Sequence, residues 1–307
     1  MLVRVLGSAA GGGFPQWNCA CRNCADVRRG LSSLKPRSQS SLAISADGAN
    51  WCLLNASPDL REQFAAHPPL AADPDAGLRS SPLRAVVLTN ADVDHVAGLL
   101  NLREGQPFHL YASARVLSAL AANPIFDVLH EGLVRRVTLA DGDVFEPHGC
   151  AGLAVELAAV AGKVALYLEN PDAGADFGSD AGDVVALKLL DTSTGRFACY
   201  IPGCAGVDGR LRDWISGASV LLFDGTLYTD DEMIAAGLSQ KTGRRMGHLS
   251  MSGADGSIAQ LADVEAGRRI FIHINNSNPV LRENSPERAA VKAAGWEVSY
   301  DGMEVQV

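Results

Sequence analysis

What most constrains this 307-residue chain is a unit that recurs along it: a short apolar, often β-branched run that closes abruptly on polar residues. Ala85-Val-Val-Leu runs into Thr89-Asn90-Ala-Asp92-Val-Asp94-His95, Val220-Leu-Leu-Phe into Asp224-Gly-Thr, and Ile270-Phe-Ile into His273-Ile-Asn-Asn. Runs of this length and composition read as strands. The same reading covers Val3–Leu6, Ser41–Ile44, Trp51–Leu54, Phe108–Tyr111, Arg136–Leu139, Val164–Leu168, Val184–Leu189 and Phe197–Ile201. Helical stretches fall at Asp59–Ala66, Val96–Arg103, Ala114–Ala122, Asp231–Ala236 and Pro286–Ala294, so the class is α/β. Pro68–Pro82, rich in Ala, Pro and Asp, is flanked by strands of similar character and reads as a surface loop, which makes 1–307 a single domain.

Strands of this kind export their polar groups to their ends. Where helices cover a sheet, loops leaving adjacent strands on one edge converge, so Asp94, His95 and His273 are placed to share a site. Two imidazoles with one or two carboxylates bind a divalent metal. The competing reading of Asp94-His95 is a helix cap followed by an exposed histidine.

A second group is contiguous. Cys19-Ala-Cys21-Arg-Asn-Cys24 puts three thiols within one turn of chain, a spacing that suits tetrahedral zinc, with the fourth ligand supplied from elsewhere in the fold. Seven cysteines, an odd number, in a chain whose start lacks the apolar stretch of an export signal point to reduced thiols and metal ligation rather than a disulfide framework. Cys52, Cys150, Cys199 and Cys204 are scattered and read as buried small hydrophobes. The expected location is the cytoplasm, with no membrane insertion. A net charge of -9 argues against nucleic acid, whose binders concentrate Lys and Arg, and favours a small substrate or peptide.

The strand followed by Asn90-x-Asp92-x-Asp94-His95 resembles the His-x-His-x-Asp-His loop of the metallo-β-lactamase superfamily. Gly11-Gly-Gly-Phe-Pro-Gln-Trp-Asn-Cys-Ala-Cys-Arg-Asn-Cys24, Gly247-His248-Leu-Ser-Met and His273-Ile-Asn-Asn-Ser-Asn-Pro279 resemble, over nearly the full length, the branch of that superfamily that serves pyrroloquinoline quinone (PQQ) biosynthesis. The resemblance implies an αββα sandwich. It also exposes departures: the first two superfamily histidines are Asn90 and Asp92 here, and the mid-chain histidine falls at Gly162-Lys163. Replacing imidazoles by amide and carboxylate oxygens hardens the site and strips the framework for a second zinc.

One metal is then expected, bound by His95, His273 and either Asp92 or Asp94, a two-histidine, one-carboxylate set that suits Fe(II), or another divalent ion, with positions left open. The resemblance points to an iron-dependent hydroxylase acting on the tyrosine of a glutamate-tyrosine precursor of PQQ, with other PQQ biosynthesis proteins as partners. Lys163 would serve as counter-charge to a phenolate-like substrate. His248 would be a donor behind the ligands or a substrate contact, and Asp224 either orients a ligand histidine or only forms a turn. Related phosphodiesterases carry a histidine three residues after the last active-site histidine, which makes Asn276 the candidate fourth ligand of the zinc knot. Two alternatives differ in what they need: a metal-dependent hydrolase requires an activated water, and a carrier that helps move PQQ or its precursor to the periplasm requires a pocket but no redox metal.

Overall fold

Alternation along the strands sets the layers. In Leu2–Gly7, Val3 and Val5 are fully buried between two sheets while Leu2 and Arg4 are only partly covered, as a period of two side chains demands. The computed structural model describes residues 1–31, 33–174 and 176–307. Among these, the first sheet contains β1 (Leu2–Gly7), β2 (Ser41–Ser45), β3 (Trp51–Leu54), β4 (Leu83–Val87), β5 (Phe108–Ser113) and β6 (Val134–Leu139). The second contains β7 (Val144–Phe145), β8 (Leu153–Ala159), β9 (Val185–Asp191), β10 (Phe197–Ile201), β11 (Ala218–Asp224), β12 (Ala266–Ile272) and β13 (Trp296–Val298). The last strand, β14 (Glu304–Gln306), returns to the first sheet beside β1, which makes two seven-stranded sheets.

Val5, Ile44 and Val87 of the first sheet meet Val155, Leu187 and Ile272 of the second and fill the space between them. The outer face of the first sheet carries Leu53, Val86, Leu88 and Leu110 against Leu60, Leu99, Val116 and Leu120 of the covering helices. The outer face of the second carries Ile201, Leu221, Phe223 and Phe271 against Leu211, Ile215 and Val291. Helix, sheet, sheet and helix layers therefore follow one another, the expected αββα sandwich.

Parallel pairing brings the polar strand ends to one edge. β3 to β6 run parallel, as do β10 to β13, and Asp224 at the end of β11 pairs with Ile272 at the end of β12, one residue before His273. The two sheets are stitched together at this edge. Val185 N donates to Thr89 O at 2.8 Å, and Ile274 N donates to Ser8 O at 2.9 Å.

Two local expectations change. Val164–Leu168 is not a strand: Leu168 N closes a turn on Ala165 O at 2.8 Å, and Tyr167 Oη donates to Ala91 O at 3.0 Å, which pins the segment over the loop after β4. The helix expected from Val96 instead starts at Val93, with Asp92 extended before it, and gives way to 3-10 turns at Ala97–Leu102. Asp94 and His95 consequently sit in its first turn. Gly98 lets that turn press against the exit of β3, since a Cβ there would lie 2.1 Å from Ser57 O. Among the described residues, no helix is long and apolar enough to cross a membrane.

Candidate metal centres

The end of β4 and the turn after it deliver Asp94 and His95, and the end of β12 delivers His273. One ligand atom from each lies within 4.8 Å of the others. His273 Nε2 is 3.0 Å from Asp94 Oδ2, and His95 Nε2 is 3.9 Å from the same oxygen. Both rings are held from behind. His95 Nδ1 meets Asn90 Oδ1 at 2.7 Å, and His273 Nδ1 meets Thr226 Oγ1 at 2.8 Å. His95 Nε2 is buried without a hydrogen-bond partner. A buried imidazole nitrogen left unpaired is costly unless something binds it, and a metal ion fits this donor set.

His273 has φ 61°, a left-handed backbone that costs a non-glycine residue about 1–3 kcal/mol. Hydrogen bonds fix it: Thr226 Oγ1 donates to His273 O at 3.0 Å, and Asn275 N donates to Thr226 O at 3.0 Å. A second group, Asp224, His248 and His273, also brings one ligand atom each within 4.8 Å. Here Asp224 Oδ2 lies 2.8 Å from His248 Nδ1 and accepts from Cys204 N at 2.9 Å.

Burial sets the charges. It pushes His95 down to about 4, so the ring is neutral and able to ligate. Burial also opposes ionisation of Asp94, but that carboxyl is held below the usual range by the hydrogen bond with His273 and, in the acid range where the His95 ring takes up its proton, by attraction to that ring. Asp92 is pushed up to about 6 by burial and then by the charge of Asp94. Its side chain accepts from Asn90 Nδ2 at 3.0 Å, and it is Asp94 rather than Asp92 that joins the two histidines in one ligand group. For His248, burial favours the neutral ring, yet the adjacent Asp224 carboxylate outweighs it and raises the pKa.

Lys163 lies at the rim, paired with Glu169, whose carboxylate also accepts from Arg245 at 3.1 and 2.8 Å. Its charge is thus shared with a protein carboxylate.

The cysteine group forms where the loop from Gly11 enters the helix Arg22–Arg28. Cys19 and Cys24 are buried, Cys21 is partly covered, and the three sulfurs lie within 4.8 Å of one another. Asn276 Nδ2 is 3.1, 3.7 and 3.3 Å from the sulfurs of Cys19, Cys21 and Cys24. Its amide therefore faces all three sulfurs, and rotation of the amide exchanges nitrogen for oxygen on that side. Burial raises the Cys24 thiol to about 11. At Cys19 burial acts in the same direction, but hydrogen bonds from Cys21, Cys24 and Asn276 overcome it and lower the thiol.

Sequence reasoning missed Thr226, whose hydroxyl touches His273, His248 and Asp224. The only signal was its place two residues after Asp224. In the sequence Asn90 reads as a missing ligand; in the fold it orients His95. Asn23 lies in the quoted N-terminal block but carries no signal of its role there, and Glu169 carries none at all.

Residues 50–274 match the β-lactamase superfamily domain. The chain is 53% identical to coenzyme PQQ synthesis protein B of Methylorubrum extorquens over 307 residues, covering 100% of both. A Zn(2+)-bound PqqB from Methylobacterium extorquens has a TM-score of 0.95 and 52% identity over 100% of both chains. A diphosphatase of the PhnP family shares the fold, with a TM-score of 0.66 at 17% identity over 100% of this chain and 97% of that one.

Proposed function

Because the chain belongs to the coenzyme PQQ synthesis protein B family of the β-lactamase superfamily, we propose that it acts in PQQ biosynthesis as a mononuclear Fe(II)- and dioxygen-dependent hydroxylase. The substrate in this reading is the tyrosine ring of the glutamate-tyrosine precursor, and the work is cytoplasmic. The observation that carries it is the set of two imidazoles and one carboxylate at His95, His273 and Asp94, with His95 Nε2 buried and unpaired. Asn90 and Asp92 stand where the superfamily would place further zinc-binding imidazoles.

Ferrous iron at this site would pass electrons from the reductant to dioxygen. The chain's own residues do the rest. Asn90 and Thr226 fix the Nδ1 atoms of the two ligand rings and so aim Nε2 into the site. Asp224 holds His248 through Nδ1, which leaves Nε2 to take or return a proton. Lys163, shared with Glu169, sets a positive charge at the rim for an anionic substrate. One oxygen atom enters the ring and the other leaves as water, with two electrons and two protons from an external reductant. Zinc is assigned to Cys19, Cys21, Cys24 and Asn276.

The test is oxygen uptake by anaerobically Fe(II)-reconstituted protein with and without the tyrosine-containing precursor. Precursor-dependent uptake with a hydroxylated product supports the reading. Equal turnover with Zn(II) and no oxygen would overturn it in favour of hydrolysis, which the Asp224–His248 pair favours as a second reading.

A further inference from the structure

The two candidate metal centres share one stretch of backbone. Asn276, whose amide lies among the three knot sulfurs, is only three residues beyond His273. Three residues span at most about 10 Å, too short to absorb a displacement at one end. Asn23, inside the cysteine segment, donates through Nδ2 to the carbonyls of Asn276, Ser277 and Asn278 at 3.1, 3.0 and 3.0 Å. Its Oδ1 accepts from Arg282 Nε at 2.8 Å, which fixes the amide. On the other flank, Ala10 N donates to Ile274 O at 2.9 Å. The chain then passes Gly11, where a Cβ would lie 3.5 Å from the Asp94 carboxylate, on its way to Cys19. The cysteine knot therefore grips both the loop that presents His273 and the loop that faces Asp94.

From this juxtaposition we infer that the knot is a positioning device for the histidine site. A cation among Cys19, Cys21, Cys24 and Asn276 fixes the left-handed backbone at His273 and so raises the affinity of Asp94, His95 and His273 for their own metal. Asn23 and Asn276 are positioning residues that act through the 273–278 loop. Linkage makes the effect reciprocal, so a metal at the histidine site also tightens the knot. The inference rests on the metal assignment proposed above and is independent of the hydroxylation chemistry.

Mn(II), which suits oxygen and nitrogen ligands better than thiolates, is the probe. It is titrated anaerobically into the full chain holding one equivalent of zinc at the knot and none at the histidine site, the same chain after chelation of the knot cation, Asn276→Ala and Asn23→Ala, with bound Mn(II) read by electron paramagnetic resonance. His273→Ala defines the background. The expected result is Mn(II) affinity weaker by about 10- to 100-fold in the chelated protein and in Asn276→Ala, the range for groups behind a ligand, and a smaller loss in Asn23→Ala. Asn23→Ala keeps all four knot groups, so its result decides even where the other forms fail to fold. Equal affinity in all of them overturns the coupling and leaves the metal site standing. Wild-type binding no tighter than His273→Ala overturns both.

Discussion

The cysteine knot and the histidine site both gather cation-binding side chains, but the first is almost entirely local and the second is assembled from distant strands. Cys19, Cys21 and Cys24 lie within one turn of chain and need only Asn276 from afar. Asp94, His95 and His273 arrive from two sheets and depend on parallel pairing and on Thr226 and Asn90 behind them. The difference teaches where each is vulnerable. A local cluster fails when a ligand is lost, whereas a composite one also fails when a supporting group moves.

The largest expected effect separates the two outright. His273→Ala should reduce precursor-dependent oxygen uptake to background while one equivalent of zinc stays at the knot, measured by oxygen electrode and metal analysis. Loss of both metals would erase the distinction. Next, Cys24→Ala should release the knot zinc and lower the unfolding free energy by more than about 3 kcal/mol, read by denaturant titration. An unchanged midpoint would remove the knot from the stability of the fold. Asn90→Ala, which removes the nearer of the two partners of His95 Nδ1 and leaves only the Thr89 hydroxyl at 3.4 Å, should weaken metal at the histidine site by about 10- to 100-fold and leave the knot zinc in place. Calorimetric titration checks this.

The smallest effect lies at the rim. Arg245, and then Lys163, hold the Glu169 carboxyl down to about 2 from an ordinary 4.5. A depressed folded value gives stability that is present above pH 4.5 and lost as pH falls toward 2. Glu169→Gln should therefore cost about 1 kcal/mol near neutrality, with the gap from wild type closing across that acid window in pH-dependent unfolding. A constant gap would show that the carboxylate charge is not what matters.

Legibility followed the same divide. The cysteines could be read because their spacing is the signal. His273 and Asp94-His95 could be read because they end apolar runs whose loops converge, although choosing ligation over a helix cap needed the resemblance. Thr226 could not be read, since a threonine after Asp-Gly looks like any turn until parallel pairing of β11 and β12 brings it beside His273. β8 was missed because Leu153–Ala159 is rich in Ala, Leu and Glu, whose intrinsic preference is helical, and pairing with β9 overrides it. Val164–Leu168 failed in the opposite sense: its apolar run has no sheet partner and is half exposed over the site.

The placement of β14 beside β1 has a consequence for the order in which this molecule is made. Leu2 finds its partner in Gln306, and Val3 in Val305, so β1 is synthesised about 300 residues before the strand that covers its edge. Until then the outer edge of β1 offers unpaired backbone groups to any other strand nearby, the condition under which nascent chains associate wrongly. Shortening the chain before Glu304 should thus lower soluble yield more than it lowers metal binding in the fraction that folds, because what is lost is the guard on an edge rather than a ligand.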